Sequence, residues 1–139
     1  MIIAKAEVIA FLRPLLGGES GAKLMVLFGG DRLSCCDEAV AIKSGDHIVG
    51  IATISPNGED GSSRPTIVGV FVLPQFRGQG LGRQLMMEAI QHCLDRGFES
   101  IRLDVLSVAM RHIVRSLSGE IRSKLVVIDH GNILDLFPG

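Results

Sequence analysis

The chemistry this chain could perform is concentrated in residues 70–83, VFVLPQFRGQGLGR. A β-branched, apolar run leads into three alternating glycines, Gly78, Gly80 and Gly82, and then into a strongly helical pattern. Glycines at such a turn remove the side chains that would hold a ligand off the backbone, and the first amides of a helix have no partner within it. Those amides and the positive end of the helix dipole suit a phosphate or pyrophosphate. Arg77 and Arg83 flank the turn and can add charge-assisted contacts. Two phosphate loops fail on their own requirements. A P-loop ends in Gly-Lys-Ser/Thr, whereas Gly82 is followed by Arg83-Gln84. A dinucleotide fingerprint needs G-x-G-x-x-G, and here its last position falls on Arg83 or Leu85. One coincidence favours the fingerprint: Asp104 lies 22 residues past Gly82, near where a ribose-binding acid would stand.

A third pattern fits. The stretch closely resembles the pyrophosphate-binding motif of the GCN5-related N-acetyltransferases (GNAT), Q/R-x-x-G-x-G/A, read as Arg77-Gly78-Gln79-Gly80-Leu81-Gly82. The lead-in Val70-Phe71-Val72-Leu73-Pro74 and the aromatic Phe76 match the family as well, and the resemblance runs over about residues 49–117. It implies acetyl-CoA as co-substrate, no metal, and direct transfer of the acetyl group to a primary amine. By position, Val70, Phe71 and Val72 are implied to meet the pantetheine arm through the main chain. Arg77, Gly78, Gln79, Gly80, Leu81, Gly82 and Arg83 are implied to hold the pyrophosphate. The cleft is implied to lie where two parallel strands, 66–73 and 100–106, splay apart, with a strand N–H stabilising the oxyanion.

The family pattern is broken at two places. Aligned on the strand end Asp104-Val105, the usual Asn falls on Ala109 and the usual Tyr at or beside Ser116; the chain contains no tyrosine. Related enzymes often have a Glu or Asp where Asp104 stands, near the cleft, so the resemblance implies Asp104 as base, acting through a water, with Ser116 or water on the acid side. Asp104 has a second reading, a strand-end acid paired with Arg102 or solvent. His112 could receive a proton or be an exposed helix residue. His47 and His92 read as surface positions, and Cys35-Cys36 as pocket lining or buried loop residues, since no nearby base marks a nucleophile. The function expected is an acetyl-CoA-dependent N-acetyltransferase acting on a small-molecule or peptide amine. The alternative is a non-catalytic acyl-CoA-binding or interaction module on the same fold.

The elements that must position these residues follow from periodicity. Helices are expected over 5–16, interrupted near Pro14, and over 22–28. Strands at 38–42 and 47–54 flank the turn Ser44-Gly45-Asp46. The polar loop 56–65 precedes a strand at 66–73, in which Gly69 marks a bulge or a close approach. A helix over 81–96 carries the apolar stripe Leu81, Leu85, Met86, Ala89, Ile90, Cys93 and Leu94, closed by Gly97. Then come a strand at 100–106, a weaker helix at 108–117, and strands at 124–128 and 133–137. The fold class is α/β, an α+β mixed sheet flanked by helices, with the family's opening strand missing or reduced to Met1-Ile2-Ile3.

The 139 residues are expected to form one domain, 1–139, with its cofactor-binding core at about 49–117. Lys and Arg total 14 against 15 Asp and Glu, which argues against a nucleic-acid or membrane-surface binder. Three cysteines without CxxC or Cys/His spacing support neither a disulfide framework nor a zinc site, and point to a reducing, cytoplasmic setting. The charges Lys5, Glu7 and Arg13 interrupt the apolar amino terminus, so no signal peptide is expected there. The apolar segment 133–137, read as an edge strand, invites a homodimer.

Overall fold

The computed structural model describes residues 1–29, 32–57 and 64–139. Most of the polar loop 56–65 therefore lies outside the described residues. Six strands form one sheet in chain order: β1 (Ile2–Ala4), β2 (Glu38–Ser44), β3 (His47–Ser55), β4 (Thr66–Val72), β5 (Ile101–Val105) and β6 (Leu125–Asp129). The first three pairings are antiparallel and the last two parallel. The reduced first strand is thus a three-residue β1 on the edge.

Helices α1 (Lys5–Leu12) and α2 (Gly21–Phe28) cover one face. Helices α3 (Leu81–Asp95), α4 (Val108–Ser116) and the short α5 (Gly119–Arg122) cover the other. Pro14 ends α1 as its missing N–H requires: the α-helix stops at Leu12 and a 3-10 turn, Arg13–Leu15, follows. The stripe on α3 buries Leu85, Met86, Ala89, Ile90 and Cys93. Gly97, at φ +90°, closes that helix, and the Phe98 N–H returns to the Cys93 carbonyl at 3.2 Å.

The sheet departs from regularity where it matters. Thr53 pairs with Gly69 and Ile54 with Ile67, so Val68 is an extra residue in β4. Such a bulge puts two successive residues on one face and inverts the alternation beyond it. Ile67 packs toward α3, Val68 toward α1 and α2, and a Cβ on Gly69 would meet the Phe28 ring on that same side at 3.0 Å. Val72 then faces α3 and Phe71 the opposite helices. Both expectations for Gly69, a bulge and a close approach, hold. The bulge also bends β4 away from its parallel neighbour. Only Thr66 and Ile67 pair with β5, opposite Arg102 and Leu103, and the two strands splay beyond that point.

One expected element is different. Residues 133–137 form no strand; Ile133–Leu136 is a 3-10 turn. Its N–H groups find other partners: Leu134 donates to the Leu106 carbonyl at 3.0 Å, and Phe137 to Leu134 at 3.3 Å. The Asp135 carboxylate accepts from Val108 N–H at the start of α4 (3.0 Å). Leu134 packs inward while Leu136 is 80% exposed, a helical rather than an alternating arrangement. The outer edge of the sheet is β6.

Candidate functional site

The splay opens on a cavity of about 360 Å³. Val70, Phe71 and Val72 form one wall, and Arg77, Gly78, Gly80, Leu81, Gly82 and Arg83 close one end. Nine of the ten residues expected to meet cofactor therefore line one space. The tenth, Gln79, is exposed on the turn and outside the lining. Gly78 and Gly80 have φ near +80°, a conformation few side chains adopt, and no atom lies within 4 Å of where a Cβ would stand. The turn thus leaves open space over its backbone, and Gly80 is the residue from which α3 starts. The first amides of α3 consequently point at a concave, cation-flanked opening.

The Leu73 N–H donates to Val49 O at 2.8 Å, which directs odd-numbered residues of this half of β4 toward β3. By the alternation of an antiparallel ladder, the backbone of Val70 and Val72 faces the splay, where no β5 partner meets it. Two arginines take the carbonyls on either side. Arg77 Nε donates to Val72 O (2.9 Å), with its guanidinium 5.4 Å over the Phe71 ring. Arg32 Nη2 donates to Val68 O (3.2 Å) and its Nε to Leu27 O (2.7 Å). The backbone of Val70 is left between them. Burial lowers the Arg77 pKa from its ordinary value, with Glu19 acting in the opposite sense.

The opposite wall was only partly legible. Ala109, Met110 and Ile113 come from α4, and Ser107, its N-cap, accepts from Met110 N–H at 3.1 Å. Phe76, Lys23 and Leu27 of α2, and Leu134 and Asp135 near the carboxyl end complete the lining; no motif or spacing in the sequence marks the last four. The period of α2 shows Leu24, Leu27 and Phe28 turned to the core, but which sheet position Lys23 would face depends on tertiary packing.

The expected catalytic pair is not brought together at this cavity. Ser116 lies at the far end of α4, donating its hydroxyl proton to Ile113 O (2.6 Å) and accepting from Arg83 Nε (3.3 Å). It is outside the lining, and its hydroxyl proton is already committed. Asp104 is also off the lining, its side chain 1% exposed. Burial keeps a base from meeting water freely, and the second reading, pairing with Arg102, is what the structure shows. Asp104 Oδ1 accepts from Arg102 Nη2 (3.1 Å), and His130 Nε2 lies 2.9 Å from the same oxygen. Arg32 stands 4.0 Å from Oδ2. The contacts Val68–Arg32–Asp104–His130 span the gap between β4 and β5.

The remaining candidates are elsewhere. His112 is exposed on α4. His92 is partly buried rather than on the surface, held 3.1 Å from Glu38 beside Arg96. Cys36 is buried and Cys35 half-buried, both donating to Arg32 O, and neither lines the cavity. Cys93 is a core residue whose thiol burial pushes up to about 11.

The comparisons agree with this architecture. A solved integron cassette protein from the mobile metagenome of Cole Harbour Salt Marsh superposes with a TM-score of 0.54 at 18% identity, covering 85% of this chain and 84% of that one. That likeness is one of fold. A comparison with curated proteins gives no match. The family model "Acetyltransferase (GNAT) family" matches residues 19–112, more than half of the chain and all of the splayed strands and glycine turn, so the chain belongs to the GNAT acetyltransferase family.

Proposed function

We propose that this protein is an acetyl-CoA-dependent N-acetyltransferase that moves the acetyl group directly to a primary amine of a small molecule or peptide. Members of its family use acetyl-CoA, which supplies an activated thioester carbonyl. One observation carries the reading: the glycine turn, open over its backbone and flanked by Arg77 and Arg83, ends a cavity that continues along the unpaired edge of β4. The turn suits the pyrophosphate through its amides, and the backbone of Val70 suits an extended amide-bearing arm. Lys23 adds a third cation at the lining.

A second reading, a non-catalytic acyl-CoA-binding module, is favoured by the hydroxyl of Ser116 being spent on Ile113 and by the small Ala109 at the cavity wall. Thiol release from acetyl-CoA over a panel of primary amines separates the two. Turnover supports the enzyme; stabilisation by CoA without turnover supports the module. Stabilisation by NAD or ATP in place of CoA would remove both.

We further propose a single domain over residues 1–139, acting in the cytoplasm as a homodimer. Three free cysteines suit a reducing compartment, and no helix among the described residues is long and apolar enough to cross a membrane. The dimer rests on the outer edge of β6, where Val127 and Ile128 are exposed. Sedimentation at tens of micromolar, about where ordinary interfaces persist, should show the dimer; a monomer overturns it.

A further inference from the structure

We infer that His130, oriented by the buried carboxylate of Asp104, accepts the proton of the incoming amine; the inference rests on the acetyl-transfer reading above. His130 follows β6 directly, and its backbone N–H donates to Val105 O at 2.8 Å, which fixes the residue against the end of β5. Its side chain is 39% exposed while that of Asp104 is 1% exposed, so the imidazole is the part of the pair that solvent or a substrate can reach. A carboxylate that accepts from Arg102 can only accept from the imidazole too. Nε2 must therefore carry the hydrogen at 2.9 Å, which leaves Nδ1 as the ring nitrogen free to take a proton. This division of labour, one group holding the tautomer and another moving the proton, is how a carboxylate commonly serves a histidine.

Asp104 Oδ2 gives the second observation. It is buried and has no hydrogen-bond partner among the described residues, with only Arg32 at 4.0 Å. A buried acceptor left without a donor is unfavourable, so this oxygen can still accept from one more donor, such as an ammonium N–H. The pair is outside the cavity lining, but the contacts from Val68 through Arg32 and Asp104 to His130 cross from β4 to β5 just past the last paired residues, so it stands beside the inner end of the splay.

The proton balance closes without another reagent. The acceptor R–NH3⁺ gives one proton to Nδ1 of His130 and becomes R–NH2. Its lone pair forms the C–N bond while the C–S bond breaks with its electron pair on sulfur. The second proton leaves nitrogen and ends on the thiolate, and His130 returns its own to solvent. The products are amide, thiol and one H⁺. Asp104 is the charged group that meets the ring; the others on the neighbouring elements are Arg102 on β5, Arg32 ahead of β2, Arg111 on α4 paired with Asp129, and Asp135 near the carboxyl end.

Two measurements on the full chain test this. Nitrogen-15 NMR of the imidazoles should show His130 as the Nε2–H tautomer, with that preference relaxed in Asp104→Asn. A Nδ1–H tautomer, or a mixture of the two, overturns the inference even if no amine substrate has been found. Kinetically, with acetyl-CoA and methylamine, putrescine or glycinamide, His130→Gln should lower kcat at pH 7 by about 10²-fold or more with KM for acetyl-CoA unchanged. The deficit should shrink toward pH 9 as the amine loses its proton unaided, and His112→Gln should match wild type. An undiminished His130→Gln rate overturns the inference while leaving the acetyltransferase standing. A wild type that neither binds CoA nor releases thiol removes the transferase reading instead, and the tautomer still decides whether the pair exists.

Discussion

The two ends of the cleft between β4 and β5 are built on opposite principles. The glycine-turn end comes from a single stretch, residues 70–83, and works mainly through backbone amides. Its residue types are constrained by conformation, since Gly78 and Gly80 sit at φ near +80°. The inner end is assembled from Arg32, Val68, Asp104 and His130, which are far apart in sequence, and works through side chains. It contains a buried carboxylate with two cationic neighbours and an imidazole. The first end can grip a common ligand with little dependence on side-chain identity. The second can vary with the acceptor, because no local conformation forces its residues.

The sharpest break in that comparison is expected at the turn. Gly82 is in an ordinary helical conformation, and a Cβ there would make only ordinary contact with Ile113 at 3.5 Å. Gly82→Asp should therefore fold, and its carboxylate should abolish the thermal stabilisation given by CoA. Gly80→Asp mixes the same charge with a strained φ, so it is the poorer probe. Arg83→Ala should weaken binding far less, and normal CoA binding by Gly82→Asp would move the cofactor site elsewhere.

At the inner end, Asp104→Asn should lower turnover at pH 7 by about 10- to 100-fold, as loss of an orienting partner commonly does, while CoA stabilisation is retained. Ser116→Ala should change the rate only a few-fold. Equal, small effects from both, with a flat pH profile, would leave positioning alone as the source of rate.

Between the two ends, Gly69→Ala forces a methyl to within 3.0 Å of the Phe28 ring, and overpacking of this kind costs about 1–3 kcal/mol, readable as a lower urea midpoint. Smaller still is the chemical contrast among thiols. With its thiol pushed up to about 11, Cys93 should resist alkylation in the folded protein at pH 8, whereas half-buried Cys35 should react first. The slightest effect concerns the exposed Arg111–Asp129 pair, at 2.8 and 2.9 Å. The Arg111 guanidinium and the Gly131 N–H hold the Asp129 carboxyl well below the usual carboxylate range. A depressed folded value contributes stability above the ordinary aspartate range and loses it as pH falls through the folded value. Asp129→Asn should therefore flatten the acid limb of the stability curve slightly, and an unchanged limb would show the pair to be inert.

What the sequence made legible follows the same division. Local rules governed the helix over Leu81–Asp95, the end of α1 before Pro14, and the cavity wall from Val70 to Arg83, because each is decided by residues within a few positions of one another. The apolar run 133–137 misled for a physical reason. Its apolar content suits a strand, but its amides are taken by Leu106 and Leu134, and Asp135 is drawn to the start of α4. The partners of Asp104 were half legible: Arg102 lies two residues away on the same strand face, while Arg32 and His130 arrive through tertiary folding. Nothing in the spacing of His130-Gly131-Asn132 distinguishes a turn histidine from an imidazole set on a carboxylate.

The extra residue at Val68 has a consequence for how such a cleft can be gained or lost. In a pleated sheet, a deletion of one position restores the alternation and leaves every hydrogen-bonding group with a neighbour. A chain lacking Val68 would keep Phe71 and Val72 on their present faces, could carry β4 alongside β5 for its full length, and would seal the space beside Val70. It would be a better sheet and an emptier protein. The opening beside Val70 comes from a misfit of one residue, so short deletions in β4 should close it while sparing, or even raising, resistance to unfolding.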